Sequence, residues 1–145
     1  MPTHLFVYGT LQLDEILHRV TGARFRGIPA VLDGYRCYRV AGECYPGLVP
    51  EAGARTPGVL QLDIDFASLR RLDAFEGSLY RRIRVEIAAE DRPIPADTYL
   101  FHEEHRERLS DEGWDLESFR RESLQRFLGS YAGFGNPPEP GGTSS

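Results

Sequence analysis

The chain of 145 residues contains no lysine; all seventeen of its basic residues are arginine. That absence excludes a Schiff-base lysine, the phosphate-gripping lysine of a P-loop and the nucleotide-anchoring lysine of a protein kinase. Cysteine is nearly as scarce. Cys37 and Cys44 are the only two, too few for a disulfide scaffold and not in the C-x-x-C spacing of redox or zinc sites. They read as structural thiols of a reducing compartment. Long apolar runs are missing, so nothing reaches the length of a membrane span. Met1-Pro2-Thr3-His4 leads into an apolar segment without the basic region of a secretory signal, and the expectation is a cytoplasmic protein. Positive charge is outweighed by twenty-two acidic residues, a formal net charge of −5, which argues against nucleic acid or an anionic membrane as partner.

Nucleophile motifs are absent too. There is no G-x-S-x-G elbow, and Gly133-Phe134-Gly135 lacks the third glycine, the preceding strand and the following helix of a dinucleotide fingerprint. The four histidines form no metal motif. His102-Glu103-Glu104-His105 sets its histidines at i and i+3, whereas a zinc-binding helix needs i and i+4 to face one ion. A solvated charged loop is the reading there. No metal and no cofactor are expected.

What remains is an ordinary globular composition, 41% apolar and 11% aromatic, sized for one domain. Leu5-Phe6-Val7-Tyr8 reads as a buried strand ended by Gly9-Thr10. Leu13, Ile16, Leu17 and Val20 recur at helical spacing, so a short helix follows the turn. From Ala23 to Val40, Gly27, Pro29 and Gly34 punctuate short strands and turns. Pro46-Gly47 and Pro57-Gly58 bracket another such stretch, and residues 59–64 form one more strand. Asp65 caps a helix over Phe66 to Glu76, stopped by Gly77. Ile83, Val85 and Ile87 alternate with charged residues as in a half-buried strand, and residues 98–101 form a further strand. Asp115 caps a final helix with Leu124, Phe127, Leu128 and Tyr131 in one apolar stripe. The expected fold is α+β, a single domain over residues 1–135 with a small curled, barrel-like sheet flanked by short helices. Residues 136–145, rich in proline and glycine, are expected to be a disordered tail.

Two features suggest chemistry. Leu69, Leu72 and Glu76 share the inward face of their helix, so Glu76 is a carboxylate turned toward the core at the negative end of the helix dipole. Both circumstances push a carboxyl pKa upward, the direction a general base needs. The ordinary alternative is a helix-end carboxylate paired with Arg81 or Arg82. Asp73 falls elsewhere on the wheel and reads as a surface charge. The second feature is the turn Tyr8-Gly9-Thr10-Leu11. If a helix follows, its opening N–H groups face the turn and suit an anion, and Gly9 permits close approach. A simple strand-to-helix turn is the alternative.

Together these residues resemble the gamma-glutamylcyclotransferase-like family, AIG2-like branch. Phe6-Val7-Tyr8-Gly9-Thr10-Leu11 resembles its opening strand and Y-G-T-L substrate loop. Tyr45-Pro46-Gly47-Leu48-Val49-Pro50 and Pro57-Gly58-Val59-Leu60 resemble its strand pair. Leu72-Asp73-Ala74-Phe75-Glu76-Gly77-Ser78-Leu79-Tyr80-Arg81-Arg82 is similar to the signature L-D-x-F-E-G-x-x-Y-x-R, whose glutamate is the family's catalytic base. Ala96-Asp97-Thr98-Tyr99 and Trp114 to Phe119 resemble the later strand and closing helix. Gln12-Leu13-Asp14-Glu15 stands where other members carry a lysine and a glycine, a departure near the expected pocket mouth that bears on the leaving group.

The resemblance implies cyclisation of a γ-glutamyl group to 5-oxoproline with release of an amine or amino acid. The substrate's α-amino nitrogen attacks its own γ-carbonyl, so the reaction asks for no enzyme nucleophile, metal or cofactor. In this implied assignment Glu76 is the general acid/base. Tyr8, Gly9, Thr10 and Leu11 bind substrate, with the amides of Gly9, Thr10 and Leu11 on the α-carboxylate. Tyr80 and Tyr99 line the pocket, and Arg82 orients Glu76 or pairs with it. The partner is a small γ-glutamyl molecule, and the oligomeric state is left open. Two alternatives stand: a non-catalytic binding module that retained the pocket, and a tailoring enzyme that removes a γ-glutamyl group from a larger molecule.

Overall fold

The computed structural model of the chain describes residues 3–130. Its elements run β1 (Thr3–Val7), α1 (Asp14–Thr21), β2 (Gly27–Val40), β3 (Pro46–Ile64), α2 (Phe66–Glu76), β4 (Tyr80–Ala89), β5 (Arg92–Phe101), β6 (Leu109–Gly113), α3 (Leu116–Glu122) and α4 (Leu124–Ser130). The sheet order is β3-β1-β5-β4-β2-β6, and β2 also pairs with β3. Five strands therefore close into a small barrel, with β6 appended to β2. The expected α+β fold, a curled mixed sheet with short flanking helices, is the fold adopted.

β1 sits between β3 and β5 and makes the one parallel pairing recorded, Leu5↔Asp97 and Phe6↔Thr98. A central strand buried on both faces reads as a continuous apolar run instead of an alternation. Accordingly Phe6 turns into the barrel with Leu60, Ile87, Ala96 and Leu100. Leu5 and Val7 turn outward, under α1 and α2, with Ile16, Leu17, Leu69, Leu72 and Phe75.

The stretch read as several short strands proves to be one long hairpin. β2 and β3 pair from Gly27↔Gln61 to Arg39↔Pro46, with a register shift between Asp33 and Tyr35. Gly34 and Gly53 lie at that shift with φ of 85° and 83°, a left-handed conformation that glycine adopts without a Cβ penalty. The inner half of the hairpin belongs to the barrel, and the outer half extends beyond it to receive β6. Pro50 and Pro57 thus lie inside a strand instead of ending it, and Pro46 begins one.

Two other expectations are corrected. The final helix is two: α3 is capped by Asp115, which accepts from the Ser118 amide at 2.8 Å, and Ser123 leaves helical geometry at ψ −17° and φ −126° before α4 begins. Leu124 and Phe127 are buried as expected, and Tyr131 and the 136–145 tail lie outside the described residues. The charged loop after β5 is a 3-10 helix, Glu103–Arg108, with the His102 and His105 rings edge to face at 6.2 Å. Among the described residues no helix is long and apolar enough to cross a membrane.

Closure of the barrel depends on one close approach. A Cβ on Gly58 would stand 2.5 Å from the Val7 carbonyl oxygen and 2.7 Å from the Phe6 ring. Gly58→Ala must therefore push β3 away from β1. We expect it to lower stability by about 1–3 kcal/mol, read as an earlier urea midpoint; an unchanged midpoint would show that the strands separate at no cost.

Candidate active site

α2 begins at Asp65, whose carboxylate accepts from the Ser68 amide at 3.0 Å. It ends where Gly77 swings to φ 74°, as the sequence indicates. Between these caps Leu69, Leu72, Phe75 and Glu76 are buried against the sheet. Glu76 is 2% exposed, so the helix delivers a carboxylate into the protein in place of an apolar side chain.

Glu76 lines a narrow crevice together with Phe6, Val7, Tyr8, Gly9, Leu11 and Tyr99. The crevice opens where β1 runs out into the Gly9 turn. A larger groove around Cys44, Trp114 and Phe127 shares no residue with it and holds no buried carboxylate.

The turn is not the direct start of α1. Thr10–Gln12 form a 3-10 helix, and Leu13, in extended geometry, separates it from α1 at Asp14. The Gly9–Leu11 amides therefore open a 3-10 turn, and the α1 N-terminus lies further on. Gln12 shapes this turn: its Nε2 donates to the carbonyls of Tyr8 at 2.8 Å and Gly9 at 3.2 Å. In a trans peptide N–H and C=O point in opposite directions, so holding these two oxygens also fixes the amides of Gly9 and Thr10. Thr10 is fully buried, and its Oγ1 has no hydrogen-bond partner among the described residues. A buried hydroxyl left unsatisfied costs about 1–3 kcal/mol.

The other predicted residues divide. Tyr99, on β5, reaches the crevice, and its hydroxyl donates to Asp73 Oδ1 at 2.6 Å. The Tyr8 hydroxyl donates to the Tyr99 carbonyl at 2.6 Å. Tyr80, expected to line the pocket, is not among the residues that line the crevice; its hydroxyl donates to the Pro46 carbonyl at 2.6 Å. Arg82 is not turned to Glu76. Its Nε and Nη2 donate to Asp73 at 2.9 and 3.2 Å, and its Nη1 donates to Asp97. Asp97, nearly buried, also accepts from Arg84 Nε at 2.7 Å. Asp73 is therefore no simple surface charge; it is held between Arg82 and Tyr99. Asp97 and Gln12 were not among the expected site residues. The signal for Asp97 is present in the alternation: Arg82 and Arg84 share one face of β4, and Asp97 and Tyr99 share the matching face of β5.

Comparison with known proteins follows this geometry. Residues 5–116 match the family model described as gamma-glutamyl cyclotransferase, AIG2-like. The chain belongs to that family. AIG2-like protein C of Arabidopsis thaliana is 30% identical over 126 residues, covering 86% of this chain and 73% of the relative. A solution structure of another Arabidopsis thaliana protein superposes with a TM-score of 0.70 at 26% identity, over 90% of this chain and 80% of the other. A gamma-glutamyl cyclotransferase structure shares the fold with a TM-score of 0.62 at 17% identity, over 100% and 94% of the two chains. The family thus contains cyclotransferases, and this chain has their fold.

The crevice tyrosines have a measurable signature. Burial raises the phenol pKa of both Tyr8 and Tyr99, reinforced at Tyr8 by Tyr80 and then Glu76, and at Tyr99 by Glu76 and then Asp73. The unfolded chain releases these protons first, near pH ~10. The stability carried by the neutral phenols is therefore complete below that pH and lost as pH rises above it. Phenolate absorbance of the native protein should stop short of seven tyrosines until the protein unfolds. Tyr99→Phe should flatten the fall of stability with alkaline pH; full native titration near pH ~10 would contradict the burial.

Proposed function

We propose that this protein cyclises a γ-glutamyl group to 5-oxoproline and releases an amine or amino acid, with Glu76 as general acid/base. The observation that carries the reading is a carboxylate, 2% exposed, lining a crevice opposite a glycine turn. The turn's amides are held by Gln12, and it adds the unpartnered Thr10 hydroxyl. One wall suits an ammonium group and the other an α-carboxylate, which are the two charges of a γ-glutamyl head.

In this reading the α-carboxylate rests on the amides of Gly9, Thr10 and Leu11, and the Thr10 hydroxyl gains its missing partner. The α-ammonium gives one proton to Glu76, and the freed nitrogen attacks the γ-carbonyl carbon. The carbonyl oxygen takes the negative charge. Glu76 passes its proton to the departing nitrogen and takes the second proton left on the ring nitrogen. As the carbonyl re-forms, the bond to the departing nitrogen breaks, and the amine accepts that second proton and leaves as an ammonium. The products are 5-oxoproline and the amine, with no net gain or loss of protons at the enzyme. Holding the amine against its target removes the entropy of encounter, for which effective molarities reach ~10⁵ M or more. The apolar walls from Val7 and Leu11 keep water from competing.

Release of 5-oxoproline from a panel of γ-glutamyl amino acids and amines tests the proposal. Glu76→Gln should fold, bind the panel's preferred member and turn over at least ~10²-fold more slowly. A mutant as fast as wild type would remove Glu76 from the mechanism. Binding without product in the wild-type protein would leave a binding module in place of an enzyme.

A further inference from the structure

Tyr99 has one hydroxyl proton, and it is already committed to Asp73 Oδ1 at 2.6 Å. A phenol is one donor with acceptor lone pairs on the same oxygen. With the proton fixed on the α2 side, what Tyr99 offers the crevice is a lone pair. An ionised carboxylate only accepts hydrogen bonds, so the direction of that proton is secure while Asp73 keeps its charge. Arg82 secures it with two hydrogen bonds. Arg82 is itself pinned on its far side by Asp97, whose other oxygen takes Arg84. Two aspartates and two arginines thus form a chain without net charge, and its end product is the orientation of one hydroxyl proton. Tyr99 and Glu76 line the same crevice and give it two acceptors.

We infer that Asp73 is a positioning residue that makes Tyr99 an acceptor for a substrate ammonium group, so the site selects ligands by their α-amino cation. The inference rests on the γ-glutamyl reading above. An ammonium carries three N–H donors: Glu76 takes one and Tyr99 takes another. A hydroxyl proton turned the other way would meet that ammonium with a like-signed dipole. Asp73 touches no substrate and acts through Tyr99 alone.

The test compares a γ-glutamyl amine with the glutaryl monoamide that lacks only the α-amino group. The γ-glutamyl amine is followed through KM and calorimetric affinity, and the monoamide through affinity. In wild type the amine-bearing compound should bind at least tenfold tighter. Asp73→Ala frees the Tyr99 proton and Tyr99→Phe deletes the acceptor. Each should raise KM and cut the preference to about threefold or less, with the monoamide's affinity unchanged. Asp73→Asn keeps an acceptor oxygen for Tyr99 and should retain most of the preference; it also serves if the alanine variant fails to fold. Because Asp73 acts only through Tyr99, the double variant should lose no more than Tyr99→Phe alone. Equal weakening of both compounds by Asp73→Ala, or losses that sum in the double variant, would overturn the inference. Failure of wild type to release 5-oxoproline would overturn the proposed reaction instead; the affinity comparison needs no turnover and decides the role of Asp73 by itself.

Discussion

The register of β4 against β5 is the constraint on which the rest depends. Arg82 faces Tyr99 and Arg84 faces Asp97 across that ladder. Because successive side chains leave opposite faces of a strand, these four project together beneath α2 while Ile87, Ala96 and Leu100 fill the barrel. A slip of one residue would turn over the side chains of the strand that slips. Two of the four polar groups would enter an apolar interior, and the ion chain beside the crevice would vanish. Packing of the barrel and arrangement of the site are thus one requirement. Desolvating Asp97 is costly, and it is tolerable only because two guanidinium groups meet its two oxygens.

The turn depends on a different rigidity. β1 is paired on both edges and buried on both faces, so the chain emerges from it at a fixed position and direction. Gly58 lets β3 come close enough to hold β1 there, and the Tyr8 hydroxyl ties the end of β1 to Tyr99 on β5. Gln12 then sets the peptide planes of the turn itself. The two walls of the crevice come from elements far apart in sequence, yet the Tyr8–Tyr99 bond links one directly to the other. Movement of either wall is felt at both.

Legibility in the sequence followed the range of the interactions. α2 was readable from cap to stop because Asp65, the 3.6-residue period and Gly77 act within a few residues of one another. The inward direction of Glu76 came from that same periodicity. The long hairpin was misread because Pro46, Pro50, Pro57, Gly47 and Gly58 are local stop signals, whereas bulges at Gly34 and Gly53 and pairing to three other strands carry the chain through them. The partner of Arg82 was misassigned for a related reason. Glu76 and Asp73 lie three residues apart on one helix, and only the placement of α2 over β4 decides which of them the guanidinium meets. The break at Ser123 follows from α4 packing Phe127 against Phe75 and Phe119, a demand of the tertiary core that no local pattern announces.

The absence of lysine also takes on meaning at the site. Arg82 meets Asp73 through two nitrogens and Asp97 through a third. A planar fork can serve two carboxylates at once in fixed geometry, whereas an ammonium group is a single point charge on a flexible stem. The charge of Arg82 is spent on the two aspartates. In the proposed reading, a free cation in the crevice would neutralise the carboxylate that receives the proton and would repel an incoming ammonium. With Arg82 and Arg84 held by the aspartates, the proposed reading turns the ligand's ammonium to Glu76 and Tyr99 and its carboxylate to backbone amides that need no cationic side chain.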